Sequence, residues 1–299
     1  MSITLGSVPA FATACAHAHA IDLAAYTLRE GVVRDALVQA ALGGAKVRVR
    51  LEGDPLDDDQ GTLHAANAVT ISVLRAAGAD AATTASSEPV LHMKAAVVDG
   101  VAWLDDRNWA GDSHETVLRD SDSDDVAAVQ AALNGQRGSD GHLRTDKAGS
   151  QYLEADVIRT AGAAPLAVES ESFGSGTIYN ALLRRAQSGL PTRLLVAGRE
   201  AMQPGKSGDT ERARLAKLQS LGVDVRTGNP QGVDYDEKLA VARDRAWIGS
   251  TNATYAHGAA GLQRDWGLST REPWLVDGIS KAFERNWHDA VTFSGATTS

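Results

Sequence analysis

The chain has 299 residues, 43% of them hydrophobic, and a formal net charge of -9, which is enough apolar material for one large domain or two of ordinary size. No apolar run approaches the length needed to cross a bilayer, and the acidity argues against holding long nucleic acid through phosphate contacts, which requires clustered Lys and Arg. The single Cys15 excludes an intramolecular disulfide framework.

The opening stretch, Met1 to Ala20, is apolar but interrupted by His17 and His19, and no Lys or Arg precedes Arg29. It reads as a buried first segment rather than a secretory leader, and a cytoplasmic location with no integral membrane association is expected. From Ile21 the pattern predicts a strand to Tyr26, a helix over Val32 to Leu42 closed by Gly43-Gly44, and a strand from Lys46 to Leu51. The acidic runs Asp57-Asp58-Asp59 and Asp120 to Asp125 contain no apolar residue and read as solvated loops.

The same order of elements returns 145 residues later, at Leu166 to Glu169, Ile178 to Ala186 and Thr192 to Val196, with Gly189 in the place of Gly44. With a drift to 144 residues, Leu74, Gly78 and Asp80 lie over Leu218, Gly222 and Asp224, Trp103 over Trp247, and Asn108 over Asn252. Such agreement predicts two copies of one α/β unit. The polar segment Asn134 to Ser150 is the natural join, giving lobes 1–148 and 149–299. Related halves pack as subunits of a dimer do, so a monomer with an internal pseudo-dimer is expected, its equivalent strands facing one cleft.

The chemistry concentrates at His92-Met93-Lys94-Ala95-Ala96-Val97-Val98-Asp99-Gly100. An apolar run between Glu88-Pro89 and Asp99-Gly100 reads as a short buried strand, on which His92 and Lys94 share a face. Asn108 follows, and the equivalent stretch in the second half is Asp236-Glu237-Lys238-Leu239-Ala240-Val241-Ala242-Arg243.

His92-x-Lys94-x-x-x-x-Asp99 followed by an Asn resembles the HKD motif of the phospholipase D superfamily, and Gly249-Ser250-Thr251-Asn252 is similar to that family's GSxN segment. The resemblance covers nearly the whole chain. It implies a fold of two similar α/β lobes related by a pseudo-twofold, each a mixed sheet flanked by helices. It also implies a site with no metal and no other cofactor, and a phosphodiesterase or phosphatidyl/phosphoryl transferase acting through a phosphohistidine on His92.

In that chemistry a neutral imidazole attacks phosphorus, ammonium and carboxamide groups hold the non-bridging oxygens, and an acid protonates the departing alcohol. The resemblance gives Lys94, Lys238, Asn108, Ser250 and Asn252 the oxygen-binding roles. It places Glu115 in the first half and Asp265 in the second where a carboxylate orients the imidazole, so that Glu115 is the partner expected for His92. A small-molecule or lipid phosphodiester is the expected substrate.

Three departures stand out. Asp105-Asp106 replace Gly-Ser, Asp236 replaces the second His, and Arg243 replaces the second motif Asp. Asp236 is the candidate general acid, a role that needs a raised pKa. Asp265 close by in a dry cleft would supply that shift, and Lys238 and Arg243 would oppose it. A binding protein without catalysis and a divergent enzyme using the same cleft are the alternatives.

His64, His142, His257 and His288 show no metal-ligand spacing and read as surface or loop residues, while His114 is a substitute proton donor. Glu169 and Glu171 share a strand face and read as groups that shape the cleft or bind a cationic headgroup, or as a solvated edge. Trp103 and Trp247 read as core.

Overall fold

The computed structural model describes residues 3–56, 58, 60–111, 114–201, 203–228 and 235–294. The chain divides into two compact units. One is Met1–Lys147 with Gly258–Trp266, and the other is Ala148–His257 with Gly267–Ser299.

In the first unit the elements run β1 (Ile3–Leu5), α1 (Val8–Ala16), β2 (Ala20–Ala25), α2 (Val32–Leu42), β3 (Lys46–Leu51), α3 (Thr62–Ala76), β4 (Asp80–Thr83), β5 (Ala95–Val98), β6 (Val101–Asp105), β7 (Val117–Asp120), α4 (Ser123–Leu133) and β8 (Leu143–Arg144). The sheet order is β1-β7-β6-β5-β2-β3-β4. β2, β3 and β4 are parallel, joined through helices, and the remaining neighbours are antiparallel.

The second unit runs α5 (Lys147–Thr160, its first residue still in the first unit), β9 (Leu166–Ser170), α6 (Thr177–Gln187), β10 (Thr192–Val196), α7 (Gly198–Ala201), α8 (Lys206–Ser220), β11 (Asp224–Thr227), β12 (Leu239–Ala242), β13 (Arg245–Gly249), β14 (Gly267–Thr270), α9 (Pro273–Asp289) and β15 (Val291–Thr292). Its strands are ordered β15-β11-β10-β9-β12-β13-β14. From β14 to β11 this repeats the order from β7 to β4, so the repeat in the sequence is a repeat of topology.

Each unit has its own core. In the first, Ser7 caps α1 and turns Phe11 and Cys15 fully inward; Phe11 stacks on Trp109 at 4.1 Å and tilts against Trp103 at 5.4 Å between ring centroids. Burial pushes the Cys15 thiol up to about 12, so it behaves as a small apolar group. In the second, Trp247 and Phe173 are fully buried. Both repeated tryptophans are core, as their recurrence predicts. Among the described residues no helix is long and apolar enough to cross a membrane.

The acidic run at Asp120 to Asp125 is not a solvated loop. Asp120 ends β7, Asp122 caps α4 by accepting from the Asp124 amide, and Asp120 and Asp125 are each 1% exposed. The residues lacked apolar neighbours because they serve a strand end and a helix N-terminus, where unsatisfied amides favour carboxylates. Of the other run, Asp57 and Asp59 lie outside the described residues; Asp58 accepts from the His64 amide at 2.8 Å and from Thr62 Oγ1 at 3.1 Å.

Candidate active site

His92, Met93 and Lys94 are not on the strand, which begins at Ala95. They form an extended lead-in whose partner is the segment Gly258–Trp266. The His92 and Met93 amides both donate to the Arg264 carbonyl, at 2.8 and 2.7 Å, and the Arg264 amide donates to Val90 O at 2.8 Å. The Leu91 amide, one residue earlier, donates to buried Glu52 at 2.5 Å.

This pairing brings the next residue, Asp265, to the imidazole. His92 Nδ1 lies 2.9 Å from Asp265 Oδ1, and Asp265 has no exposed surface. With Nδ1–H donating to the carboxylate, Nε2 carries the lone pair. Lys94 Nζ lies 3.3 Å from Nε2 and donates to the His92 carbonyl at 2.7 Å. Lys94 is 1% exposed. Its stem and head are boxed by Tyr26, whose ring centroid is 5.6 Å from Nζ and 5.0 Å from the His92 ring in an edge-on arrangement. The adjacent Lys147 is buried as well; burial pushes its ammonium below the usual lysine range and Asp265 works against that.

The carboxylate on His92 is therefore Asp265, and not the Glu115 that motif spacing suggests. Glu115 accepts from the Ala110 amide at 2.8 Å and from the Gly111 amide. It belongs with Asp105 and Asp106, the pair standing where the family pattern has Gly-Ser. Asp105 Oδ2 accepts from the Trp109 amide at 2.7 Å and Asp106 Oδ1 from the Thr116 amide at 3.0 Å. Three carboxylates thus hold one loop, in which Trp109 sits at a φ of 56°. Burial first, then the charges of Glu115 and Asp106, raise Asp105 well above the usual carboxylate range. Asn108, in that loop, accepts from the Thr27 amide at 3.3 Å.

Asp99, the motif aspartate, is 41% exposed at its side chain and lies at the far end of β5. With Gly100 it makes a two-residue hairpin, φ 46° and 80°, the conformation Asp-Gly adopts most readily. Its carboxylate accepts from the His19 and Ala20 amides, which hold it below the usual carboxylate range. Its work is to tie the hairpin to the start of β2.

The second unit repeats the frame with other side chains. Lys238, 2% exposed, donates to the Asp236 carbonyl as Lys94 does to that of His92, and lies 3.5 Å from Asp236 Oδ1 and 3.2 Å from Glu171 Oε2. Glu171 occupies the place of Tyr26 in the repeat, so the ring beside one lysine is a counter-ion beside the other. Asn252 Nδ2 donates to the same Glu171 oxygen at 3.1 Å. Ser250 is fully buried just past β13. Asp236 is thus gathered with Lys238 in the second unit, whereas Asp265 is gathered with His92 in the first.

Glu169 is not a solvated edge. It is fully buried, and Asn286 Nδ2 bridges it to the equally buried Glu237 at 2.9 and 2.8 Å. His142 is not isolated either: Nε2 lies 3.1 Å from Asp125 and Nδ1 3.0 Å from Asp140. These three could each offer a ligand atom to a metal, since the atoms lie within 4.8 Å of one another. Asp125 comes from α4, so no local spacing announces the group. His64, His257 and His288 are exposed, as read from the sequence, and His114 is half-buried in the turn before β7.

No family model and no curated protein matches the chain. Solved structures do. The chain is similar to phosphatidylserine synthase from Haemophilus influenzae, at 13% identity over 97% of this chain and 87% of that one, with a TM-score of 0.69. It is also similar to polyphosphate kinase from Porphyromonas gingivalis, at 16% identity and a TM-score of 0.64 over 95% of this chain. The chain spans only about half, 50%, of that kinase. At these identities the likeness is one of fold, the two-lobed α/β fold expected from the resemblance to the phospholipase D superfamily.

Proposed function

We propose that the protein is a phosphoryl-transfer enzyme of the phospholipase D type, a phosphodiesterase or a transferase, with His92 as its nucleophile. The observation that carries this reading is the buried Asp265 on His92 Nδ1, with Lys94 Nζ at Nε2. Asp265 fixes the tautomer that leaves Nε2 unprotonated and stabilises the cation that forms when Nε2 is used.

In the proposed first step the Nε2 lone pair forms an N–P bond, the P–O bond to the leaving alcohol breaks, and that alcohol departs with a proton. In the second, the oxygen of water or of an acceptor alcohol attacks phosphorus and passes its proton to the carboxylate that protonated the first alcohol, the N–P bond breaks, and the electron pair returns to Nε2. Lys94, no longer facing the lone pair, is placed to hold a non-bridging oxygen as its charge grows. Asn108 is assigned the same role.

For the second unit the proposal keeps Lys238, Ser250 and Asn252 as phosphate-binding groups and Asp236 as proton donor. Lys238 carries two carboxylate neighbours already, an observation that favours the second reading, a phosphate-binding protein without turnover. A small or lipid-derived diester is the proposed substrate, and the fold likeness to a phosphatidylserine synthase supports that class.

The test is turnover of bis(4-nitrophenyl) phosphate, with intact mass read after neutral and after acid quench. A covalent adduct seen at neutral pH, lost in acid and absent from His92→Ala, is the expected result. No adduct and no turnover over a broad diester panel would replace the enzyme with the binding protein.

A further inference from the structure

We infer that the second unit carries a separate binding site for a small organic anion with an apolar body, at the end of its sheet remote from Lys238. Lys238 precedes β12 and the anchoring residue, Arg243, follows it. The inference stands apart from the proposed phosphoryl transfer.

It comes from comparing the same place in the two copies. In the first unit this end of the sheet carries polar side chains that are tied to one another. Asp22 on β2 forms a two-pronged pair with Arg48 on β3, at 2.8 Å to Nε and closer still to Nη2, and accepts from Gln130 of α4 at 2.7 Å. Asp99 caps the His19 and Ala20 amides beside it.

In the second unit each of these devices has been exchanged. Ala167 stands for Asp22, so Arg193, the counterpart of Arg48, turns to Glu284 and packs over the Phe283 ring at 4.9 Å. Pro165 stands for Ala20 and has no N–H to be capped. Arg243 stands for Asp99 and puts a cation where there was a carboxylate. The second unit has a cavity of about 600 Å³ here, against about 460 Å³ for its counterpart in the first unit, which Asp22, Arg48, Asp99 and Gln130 border.

Its composition states what it would take. Leu166, Ala167, Val241 and Val276 give apolar walls, and a volume of this size is typical of small-ligand sites. Arg243 is exposed, and among the described residues no carboxylate pairs with it. Arg271, on the same rim, pairs among the described residues with Asp244 alone, at 3.4 Å with both side chains largely exposed. The two carboxylates that line the cavity have cations of their own, Asp244 the Arg245 fork at 3.1 and 3.2 Å and Asp277 the Lys281 ammonium at 2.7 Å, so the exposed Arg271 pair contributes little and exchanges readily for a ligand oxyanion. A guanidinium fork favours carboxylate, sulfonate or phosphate oxygens. Inorganic phosphate alone would leave the apolar walls wet, so the ligand has an apolar body.

The experiment is a calorimetric titration of the full chain with naphthalene-1-sulfonate, which has no bond for a phosphodiesterase to cut. Saturable binding is expected, weakened about tenfold or more by Arg243→Glu and by Ala167→Asp, which restores the carboxylate of the first unit. Uncharged 1-naphthalenemethanol should bind at least about tenfold more weakly than the sulfonate. Arg243 is on the surface, so Arg243→Glu keeps the test valid if Ala167→Asp fails to fold. Absence of saturable binding, or affinity unchanged in Arg243→Glu, would overturn the inference.

Discussion

His92 Nδ1 and Asp265 Oδ1 lie 2.9 Å apart although 173 residues separate them in the chain, and the carboxylate is wholly buried. A buried carboxylate on an imidazole holds the tautomer and stabilises positive charge on the ring. Asp265→Asn keeps the shape and removes the charge. It should lower kcat toward a nitrophenyl diester by about 10²- to 10⁴-fold with little change in KM. Steady-state kinetics checks this, and Glu115→Gln should instead act mainly through its loop, lowering the melting temperature.

Tyr26 meets both Lys94 and His92 through its ring, while its hydroxyl donates elsewhere, to Leu56 O at 3.1 Å. A ring quadrupole beside a desolvated ammonium is worth about 0.5–2 kcal/mol. Tyr26→Phe should therefore retain kcat within about threefold, and Tyr26→Ala should lose about tenfold or more. Equal losses in the two would move the role of Tyr26 from the ring to the hydroxyl.

Asp120 gives a pH dependence of stability with a definite sign. Burial, and then Asp125, push its carboxyl up to about 7. A group that binds its proton more tightly folded than unfolded stabilises the fold at low pH, and that stability is lost as pH rises from about 4 to 7 and beyond. His142, raised by Asp125, adds loss in the same direction as it deprotonates. Asp120→Asn should raise the melting temperature at pH 8 and change it little at pH 5, as thermal unfolding at the two pH values would show.

Asp99 acts in the opposite sense. Its carboxyl is held low by the His19 and Ala20 amides, so its contribution is present above the unfolded value of about 3.9 and is lost as pH falls through the folded one. The site is exposed, so the effect is small. Asp99→Ala should lower the melting temperature more than Asp99→Asn, because Asn tolerates the φ of 46° that the turn requires. Neither should change the protonation behaviour of His92 as followed by its imidazole NMR resonances.

Much of this was legible in the sequence because periodicity and repetition are local signals. The helix at Val32–Leu42 and the strands at Lys46–Leu51 and Thr192–Val196 fall where the pattern puts them, and the doubled order of elements announces the doubled topology. What was not legible depends on long-range placement. His92 and Lys94 alternate like strand residues, yet the His92 and Met93 amides share a single carbonyl at Arg264, which alternation does not reveal. Glu115 has the right spacing for an orienting carboxylate, but Asp105 and Asp106 enlist it in holding a loop. Tyr26 is the second unit's Glu171 by the repeat, and that correspondence was the available signal for it. Asp125 and His142 meet across 17 residues through a helix packing that no motif encodes.

The short segment Gly258–Trp266 is written in the second half of the chain and packed in the first unit, where it delivers Asp265 to His92 and hydrogen-bonds Trp266 Nε1 to Asp105 O at 2.9 Å. The two copies are therefore not interchangeable modules. A gene cut at the midpoint would yield a first half whose His92 lacks its carboxylate partner, and a duplicated first half would lack it twice. That loan of residues makes the first unit depend on the second half of the chain for the carboxylate at His92.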